Sequence, residues 1–551
     1  MEVEGPGSVL IERLLEENDR KGFLQAAAVE KISIELGVPA SRVRAVAGQL
    51  RHFRFAPGPD GVTAICRGPA CELAGSSTLV ETLGTHADVP VASLLGSPYW
   101  HEPILAVVPG REGAAVSRKV EADAVSPDEL ARAPRSTSAE PATDLISGRG
   151  GILGGLGARR TKAAYLKSHA AELKRYLDRT SSTDVLERIR ASRIVETMTG
   201  HEVADMVDSV RASAGGSAMI VCDTGGVEPE NDAGPVLAWL DPMGVIEGVL
   251  IAARAAGARR ALVFVPYEHG RLVQAFERVV DAVAGVDIQP SVELALLSGP
   301  NLIPCDREIG IAALYHGLTL SEAVSRARAS SAGLWGGQTL VSGAEVFLRL
   351  SRLARGSGRT PASRVISVGG CVNSPCVAEA PLTATPADLV AASAGGLREG
   401  SVLKAIHFGG VFGGPLRPVA LKSRLRSLFG RLDGTGSGQM LLIDRGTCMV
   451  AWSEYFTWLG ERLCCGACVA GRLGPACVRR LIGKITAGNG DMVDLEEIRA
   501  TIELMRETSL CPQGGKVLNA VGVALENFYS EFEEHVTEKK CAAGVCRLSG
   551  D

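Results

Sequence analysis

Residues 218–223 read AMIVCD, residues 246–258 read IEGVLIAARAAGA and residues 260–266 read RALVFVP. The first and third runs have the length and apolar content of buried strands, and the run between them has the length of a helix. A strand, a helix and a strand in this order are typical of a parallel sheet covered by helices. The apolar run ELALLSG at 293–299 continues the alternation. We therefore predict an α/β domain over residues 147–360.

The part of the chain before this domain divides into three segments. Apolar residues recur at helical spacing in residues 1–55, which predicts a small helical bundle. In residues 56–125 a strand, a turn with two cysteines, a helix and a strand pair follow one another, and this order fits a thioredoxin-like domain. Residues 126–146 are rich in Ala, Ser, Pro and charged residues and are predicted to be a linker.

The part after the α/β domain also divides into three. Residues 361–436 are predicted to form a compact β-grasp module, residues 437–535 are mainly helical, and residues 536–551 form a tail that contains cysteines. The expected fold class is a multidomain α/β protein with a C-terminal helical domain.

Composition excludes several classes of protein. The chain has 551 residues, of which 46% are hydrophobic and 22% charged, and its formal net charge is −4. Such a chain is globular and has no electrostatic attraction to nucleic acid. No apolar run approaches the roughly 18 residues that a membrane span needs. The acidic, amphipathic N-terminus is unlike a secretory signal, so we expect a protein that is cytoplasmic or peripheral to a membrane complex.

The cysteines are numerous and unevenly spread. Clustered thiols in a cytoplasmic protein favour metal or redox chemistry over disulfide bonds. Eight of the fourteen follow residue 440, so metal should be sought in the C-terminal region. These eight are Cys448, Cys464, Cys465, Cys468, Cys477, Cys511, Cys541 and Cys546.

Five short motifs follow one another along the chain in an order that can be compared with known families. They are SGRGGILGGLGARR at 147–160, CDTGGVEPEN at 222–231, CDREIGI at 305–311, CCGACVAGRLG at 464–474 and TSLC at 508–511. In this order they resemble the NADH-oxidising flavoprotein subunit of complex I and of NAD-linked and electron-bifurcating hydrogenases. Residues 8–110, with Cys66 and Cys71 spaced as C-x4-C, resemble the thioredoxin-like subunit of complex I. The resemblance implies a Rossmann-like domain for FMN and NADH, a helical iron–sulfur domain, and other redox-complex subunits as partners.

The resemblance also implies which residues hold the flavin. A glycine-rich loop near a helix start lets the backbone approach the FMN phosphate, and Arg159 stands in for the family's lysine as a phosphate partner. Two acidic residues of the later loops are retained. The cofactor-binding candidates are Gly148, Arg149, Gly150, Gly151, Arg159, Glu228 and Glu308.

The same loops depart from the family pattern. Gly225 and Gly226 replace an acidic pair, and Arg307 replaces a glutamate. Ser342 and Gly343 replace paired asparagines. These changes predict a retained fold with changed or lost affinity for FMN and impaired oxidation of NADH.

The iron–sulfur motif is nearly complete. Cys465, Cys468 and Cys511 match three of the four thiolates that hold a 4Fe–4S cluster in the family, and Gly471 stands at the remaining position. Either Cys464 or Cys477 could supply the missing thiolate; the alternative is a degenerate site without a cluster.

The thioredoxin-like segment has lost half of its cluster motif. A 2Fe–2S cluster needs four ligands, and Cys66 and Cys71 match only the first pair. Leu94 and Pro98 stand where the resemblance places the second pair. We therefore expect Cys66 and Cys71 to be two surviving thiols without a 2Fe–2S cluster; the alternative is a cluster with substitute ligands.

The C-terminal tail carries a second candidate metal site. His535, Cys541 and Cys546 are spaced as H-x5-C-x4-C, and zinc takes four nitrogen or sulfur ligands in a tetrahedron. We predict a structural zinc whose fourth ligand is Cys448. The alternative is a disordered, thiol-bearing terminus.

Two functions remain open at this point. The chain could be a divergent subunit of a multi-subunit oxidoreductase that transfers electrons through iron–sulfur and flavin groups. It could instead be a non-catalytic relative that serves as an assembly scaffold in a redox complex. The altered cofactor loops favour the scaffold, and the cysteine-rich C-terminal region favours electron transfer.

Overall fold

The fold was analysed in a computed structural model. The described residues are 8–21, 23–50, 53, 55, 64–65, 68–73, 105–109, 115–119, 146–147, 153, 163–197, 200–212, 218–225, 233–266, 270–284, 291–299, 307–329, 335, 337–355, 362–432 and 436–548.

The predicted α/β domain has a four-stranded parallel sheet. Its strands are β5 (Met219–Asp223), β6 (Arg260–Pro266), β7 (Glu293–Gly299) and β8 (Thr339–Gly343). They lie in the order β7-β6-β5-β8. The two central strands are almost wholly buried, which explains their uninterrupted apolar sequences. Because the strands are parallel, their carboxyl ends meet at one edge, where open α/β sheets bind ligands.

Helices cover this sheet on both faces. Those of the domain are α5 (Ala163–Arg179), α6 (Ser182–Ser192), α7 (Val203–Ala212), α8 (Ala233–Leu240), α9 (Pro242–Ala256), α10 (Gly270–Ala284), α11 (Arg307–His316), α12 (Leu320–Ala329) and α13 (Ala344–Ala354). The buried helix α9 packs closely against α13. The approach is so close that a Cβ atom on Gly248 would lie 1.8 Å from the carbonyl oxygen of Phe347. Glycine is therefore required at this helix crossing.

The N-terminal helices pack against the parallel sheet. They are α1 (Ser8–Lys21), α2 (Ala26–Leu36) and α3 (Ala40–Gln49). Their buried leucine, isoleucine and valine side chains share one hydrophobic core with Val221 and Phe264 of the sheet. Arg42 forms an ion pair with Glu322 at 2.5 Å and donates to the carbonyl oxygen of Gly317 at 3.1 Å. The bundle is thus one layer of the α/β unit.

The thioredoxin-like segment is described in part. Strands β1 (Ala64–Ile65), β2 (Leu105–Pro109) and β3 (Ala115–Lys119) form an antiparallel sheet, and α4 (Pro69–Leu73) is a short helix that contains Cys71. Cys66, Leu94 and Pro98 lie outside the described residues, as does the predicted linker up to residue 145.

A mixed six-stranded sheet follows. Its strands are β4 (Ile146–Ser147), β9 (Ser363–Gly370), β10 (Cys376–Pro381), β11 (Leu403–Phe408), β12 (Gly414–Leu416) and β13 (Gln439–Asp444), in the order β12-β11-β13-β9-β10-β4. Helices α14 (Pro386–Ser393) and α15 (Leu425–Arg431) belong to the same region. Strand β13 lies in the segment predicted to be the helical domain, yet it pairs with β9 and β11. This long-range pairing could not be read from a short apolar run.

The C-terminal region is helical, as predicted. Its helices are α16 (Met449–Leu463), α17 (Val469–Thr486), α18 (Met492–Thr508), α19 (Pro512–Lys516), α20 (Asn519–Asn527) and α21 (Tyr529–Thr537). They share a core that includes Phe456 and Phe532, and Cys541 and Cys546 of the tail pack against it. The predicted fold class, α/β with a C-terminal helical region, is confirmed.

Among the described residues, no single helix has the length and apolar character needed to cross a membrane. Helices α8 and α9 meet that test only as a pair bent by 100°.

Candidate functional site

Four cysteines lie where three helices of the C-terminal region meet. Cys464 is the residue that ends α16, and Cys465 follows it in the loop to α17. Gly466 turns this loop with a φ of +72°, a left-handed conformation that favours glycine. Cys468 caps the N-terminus of α17, and Cys511 caps the N-terminus of α19.

Backbone N–H groups point at two of these sulfur atoms. The N–H of Gly471 donates to Sγ of Cys468 at 3.3 Å, and the N–H of Gly514 donates to Sγ of Cys511 at 3.2 Å. Both N–H groups belong to the first turn of a helix, so each of the two sulfur atoms lies against a helix N-terminus. Hydrogen bonds of this kind also tune the sulfur ligands of iron–sulfur clusters.

Cys464 lies within electrostatic reach of the other three thiols. Burial, followed by the charges of the neighbouring Cys465, Cys468 and Cys511, raises its pKa to about 12. Thiols grouped this closely resist ionisation unless a bound cation supplies positive charge. The donor set, four cysteines with two backbone N–H donors, fits an iron–sulfur cluster.

Cys477, the other candidate for the missing thiolate, does not join this group. It lies on α17 nine positions after Cys468 and is exposed. A helix rises 1.5 Å per residue, which separates the two positions by roughly 13 Å along the axis.

A second group of ligands forms at the tail. The ligand atoms of Cys448, His535, Cys541 and Cys546 all lie within 4.8 Å of one another. Sγ of Cys448 is 3.4 Å from Nε2 of His535 and 3.7 Å from Sγ of Cys546. A zinc tetrahedron has S···N edges of about 3.6 Å and S···S edges of about 3.8 Å. These distances match zinc, and they are too long for a disulfide bond.

The surrounding elements hold these four side chains in place. Cys448 precedes the first turn of α16, and His535 lies in the last turn of α21. Nδ1 of His535 is 2.6 Å from the carbonyl oxygen of Glu531, so it donates there and leaves Nε2 free to bind a metal. The carboxylate of Glu531 accepts in turn from Lys404 and from the N–H of Met449. These two hydrogen bonds join the side chain of Glu531 on α21 to β11 and to the start of α16, next to Cys448.

The flavin candidates are described in part. Gly148, Arg149, Gly150, Gly151, Arg159 and Glu228 lie outside the described residues. Glu308 is half-buried in the first turn of α11.

A buried ion-pair network lies at the carboxyl edge of the parallel sheet. The guanidinium of Arg307 is 3.4 Å from Asp223 and 3.9 Å from Glu196. A Cβ atom added to Gly343 would lie 3.0 Å from the same guanidinium. Burial raises the pKa of Asp223, and Arg307 opposes that rise. Arg307 therefore lies against the carboxyl ends of β5 and β8.

Sequence reasoning identified Arg307 as a charge reversal but missed both of its acidic partners. Asp223 was visible only as the end of an apolar strand, and Glu196 carries no motif. The pattern was also silent on the backbone carbonyl of residue 531, which accepts from the histidine of the tail site. Cys371 and Cys376 are both buried beside hydrophobic neighbours of the mixed sheet.

Two family models match the ends of the chain. The model for the NADH-ubiquinone oxidoreductase-F iron-sulfur binding region matches residues 453–535. The model for the thioredoxin-like 2Fe-2S ferredoxin matches residues 2–93.

Curated relatives match about 60% of the chain. NADP-reducing hydrogenase subunit HndC of Solidesulfovibrio fructosivorans is 26% identical over 59% of this chain and 70% of its own length. An F-type subunit of NADH-quinone oxidoreductase in Rhizobium meliloti is 26% identical over 60% of this chain and 83% of its own length.

A solved structure shares the fold along nearly the whole chain. A chain of the NAD+-reducing [NiFe]-hydrogenase in the H2-reduced state superposes with a TM-score of 0.76 and 20% identity, over 97% of this chain and 93% of that one. The resemblance seen in the sequence is thereby confirmed. The chain is thus similar to F-type subunits of NADH-quinone oxidoreductases and to a subunit of an NADP-reducing hydrogenase, and its first 93 residues are similar to thioredoxin-like 2Fe-2S ferredoxins.

Proposed function

We propose that this chain is an electron-transferring subunit of a multi-subunit oxidoreductase and holds a 4Fe–4S cluster in its C-terminal helical region. The observation that carries the proposal is the meeting of Cys465, Cys468 and Cys511 with a fourth thiol at the ends of α16, α17 and α19. Iron–sulfur clusters are held by four cysteine thiolates.

The residues of the chain have separate roles in this site. When bound, the cluster accepts and releases single electrons. The cysteine sulfurs hold it, and the N–H groups of Gly471 and Gly514 stabilise their negative charge. The core of the helical region shields one side of the site from water.

Measuring the content of iron and acid-labile sulfide in protein purified without oxygen tests the proposal. We expect Cys511→Ala to abolish the visible absorption and the paramagnetic signal of the reduced cluster. Cys477→Ala is the matched control, because this exposed cysteine of the same helical region should leave both signals unchanged. Wild-type protein without iron and sulfide, or unchanged signals in Cys511→Ala, would contradict the proposal.

A structural zinc at Cys448, His535, Cys541 and Cys546 is the second part of the proposal. Three thiols and one imidazole at tetrahedral edge distances, with the histidine oriented by a backbone carbonyl, support zinc over other metals. A closed site with four protein ligands is structural, and it would fix the tail onto the helical region.

NADH oxidation is proposed to be impaired. Ligands of open α/β sheets bind outside the carboxyl ends of the strands. Arg307 with Asp223 and Glu196 lies at that edge, and two acidic groups of the family's loop are replaced by Gly225 and Gly226. The same observation favours the second candidate function, a scaffold within a redox complex, if the cluster is also absent.

The partners follow from the relatives. These are named as subunits of a hydrogenase and of an NADH-quinone oxidoreductase. We propose that this chain likewise works beside iron–sulfur, hydrogenase-type or dehydrogenase-type subunits. We infer that it carries no 2Fe–2S cluster, because residues 2–93 contain only Cys66 and Cys71 as thiol ligands.

A further inference from the structure

The iron–sulfur motif has one position without a thiol, and the structure places another sulfur beside it. Gly471 stands at that position, in the first turn of α17. A Cβ atom built on Gly471 would lie 3.6 Å from Sγ of Cys464 and 3.2 Å from Sγ of Cys468. A cysteine side chain at 471 would therefore reach toward the space where the sulfur of Cys464 lies.

We infer that Cys464 is the fourth ligand of the cluster and that Gly471 leaves the room for it. The inference rests on the proposed function, since it assumes that a 4Fe–4S cluster is bound. Compared with the family's motif, the fourth ligand lies at the end of α16 instead of the start of α17. The number of thiolates stays at the four that the cluster requires.

The glycine at 471 has no backbone explanation. It lies inside a regular helix and is not among the residues with positive φ. Glycine within a helix is destabilising relative to alanine, so a reason for it is to be expected. The close approach of the sulfurs of Cys464 and Cys468 supplies that reason.

The local structure suits Cys464 as a ligand. It packs against the core of the helical region, and its Sγ and that of Cys468 both lie close to the Cβ position of residue 471. Gly466 turns the chain directly after Cys465, which lets the loop wrap around one site. Cys477 is exposed and lies roughly 13 Å further along α17 than Cys468, so it is excluded.

Variants that move the thiol from position 464 to position 471 test the inference. The variants are Cys464→Ala, Cys477→Ala as a control, and Cys464→Ala combined with Gly471→Cys, which restores the family's pattern. Each is purified without oxygen and compared for iron, sulfide and the paramagnetic spectrum. We expect Cys464→Ala to lose the 4Fe–4S spectrum and bind less iron, Cys477→Ala to match wild type, and the double variant to regain the cluster.

The outcomes separate this inference from the proposed function. Wild-type protein without iron and sulfide would refute the proposed function itself. A wild-type cluster that persists with an unchanged spectrum in Cys464→Ala would overturn the inference alone, as would loss of the cluster in Cys477→Ala. Circular dichroism checks the fold, and a double variant with wild-type helicity but no cluster would also count against the exchange.

Discussion

His407 shows how a single buried residue can make the stability of the molecule depend on pH. Its Nδ1 accepts from the indole N–H of Trp452 at 3.1 Å, so its Nε2 carries the proton and donates to the carbonyl oxygen of Gly410 at 2.8 Å. The ring also stacks on Phe456. Burial lowers its pKa to about 4. Both ring nitrogens are therefore satisfied in the neutral form only.

This arrangement predicts a loss of stability in mild acid. Between pH 6.5 and 4 the unfolded chain binds a proton that the folded chain does not, so the contribution is complete above 6.5 and declines as pH falls. From pH 7 to pH 5 the free energy of unfolding should fall by about 2 kcal/mol through this residue. Urea unfolding at both pH values measures it, with His407→Gln as the comparison. An equal pH dependence in the variant would refute the prediction.

At the scale of elements, helix α16 connects the two proposed metal sites. Cys448 precedes its first residue and Cys464 follows its last. Its fifteen residues span roughly 23 Å, which keeps the sites apart and lets each be tested without the other. Residues 541–548 contain no helix or strand, so a metal at the first site would add to the packing of Cys541 and Cys546 that holds the tail.

The zinc proposal predicts separate behaviour of tail and cluster. One zinc per chain should be found, and it should be lost when Cys541 and Cys546 are both replaced by Ser. Removal of zinc with a chelator should expose the tail to trypsin at Lys539, Lys540 and Arg547. The reason is that Cys541 and Cys546 would no longer be bound through the metal to the helical region. Iron content serves as the control and should not change. Zinc that is absent, or retained in the double variant, would end the idea.

At the scale of the whole molecule, the N-terminal bundle and the parallel sheet share one core. Such packing preserves the α/β domain whether or not a cofactor is bound, because the sheet is covered by protein on both faces. Loss of cofactor residues at its carboxyl edge therefore need not cost the fold. Fold similarity to a hydrogenase chain accordingly says nothing about which cofactors remain.

Impaired NADH oxidation is the prediction at this scale. The purified chain, incubated with FMN, should reduce a dye with NADH at a rate close to the protein-free control. Hydride transfer needs flavin and nicotinamide in near-contact geometry, and Arg307 lies at the sheet edge where the family has a glutamate. Dithionite added to the protein without dye is the separate control, since bleaching of the visible absorption shows a cluster that can be reduced. Robust NADH oxidation with stoichiometric FMN would contradict the prediction.

Local features of this protein follow from the order of its residues alone. The apolar runs of the parallel sheet and the order of the helices could be predicted, because hydrophobic periodicity is a local property of the chain. The same holds for Cys465, Cys468 and Cys511, which short motifs identify. His535, Cys541 and Cys546 are likewise close in sequence.

Tertiary structure decided whatever depends on contacts between distant segments. Cys464 and Cys477 were equal candidates in the sequence. Only the packing of the end of α16 against the start of α17 distinguishes them, because it brings Cys464 next to position 471 and leaves Cys477 exposed. Strand β13 joined the mixed sheet by pairing with β9, which lies about seventy residues earlier in the chain. Arg307 acquired Asp223 and Glu196 as partners across the sheet edge. Such contacts form when the core closes, so no local pattern of residues encodes them.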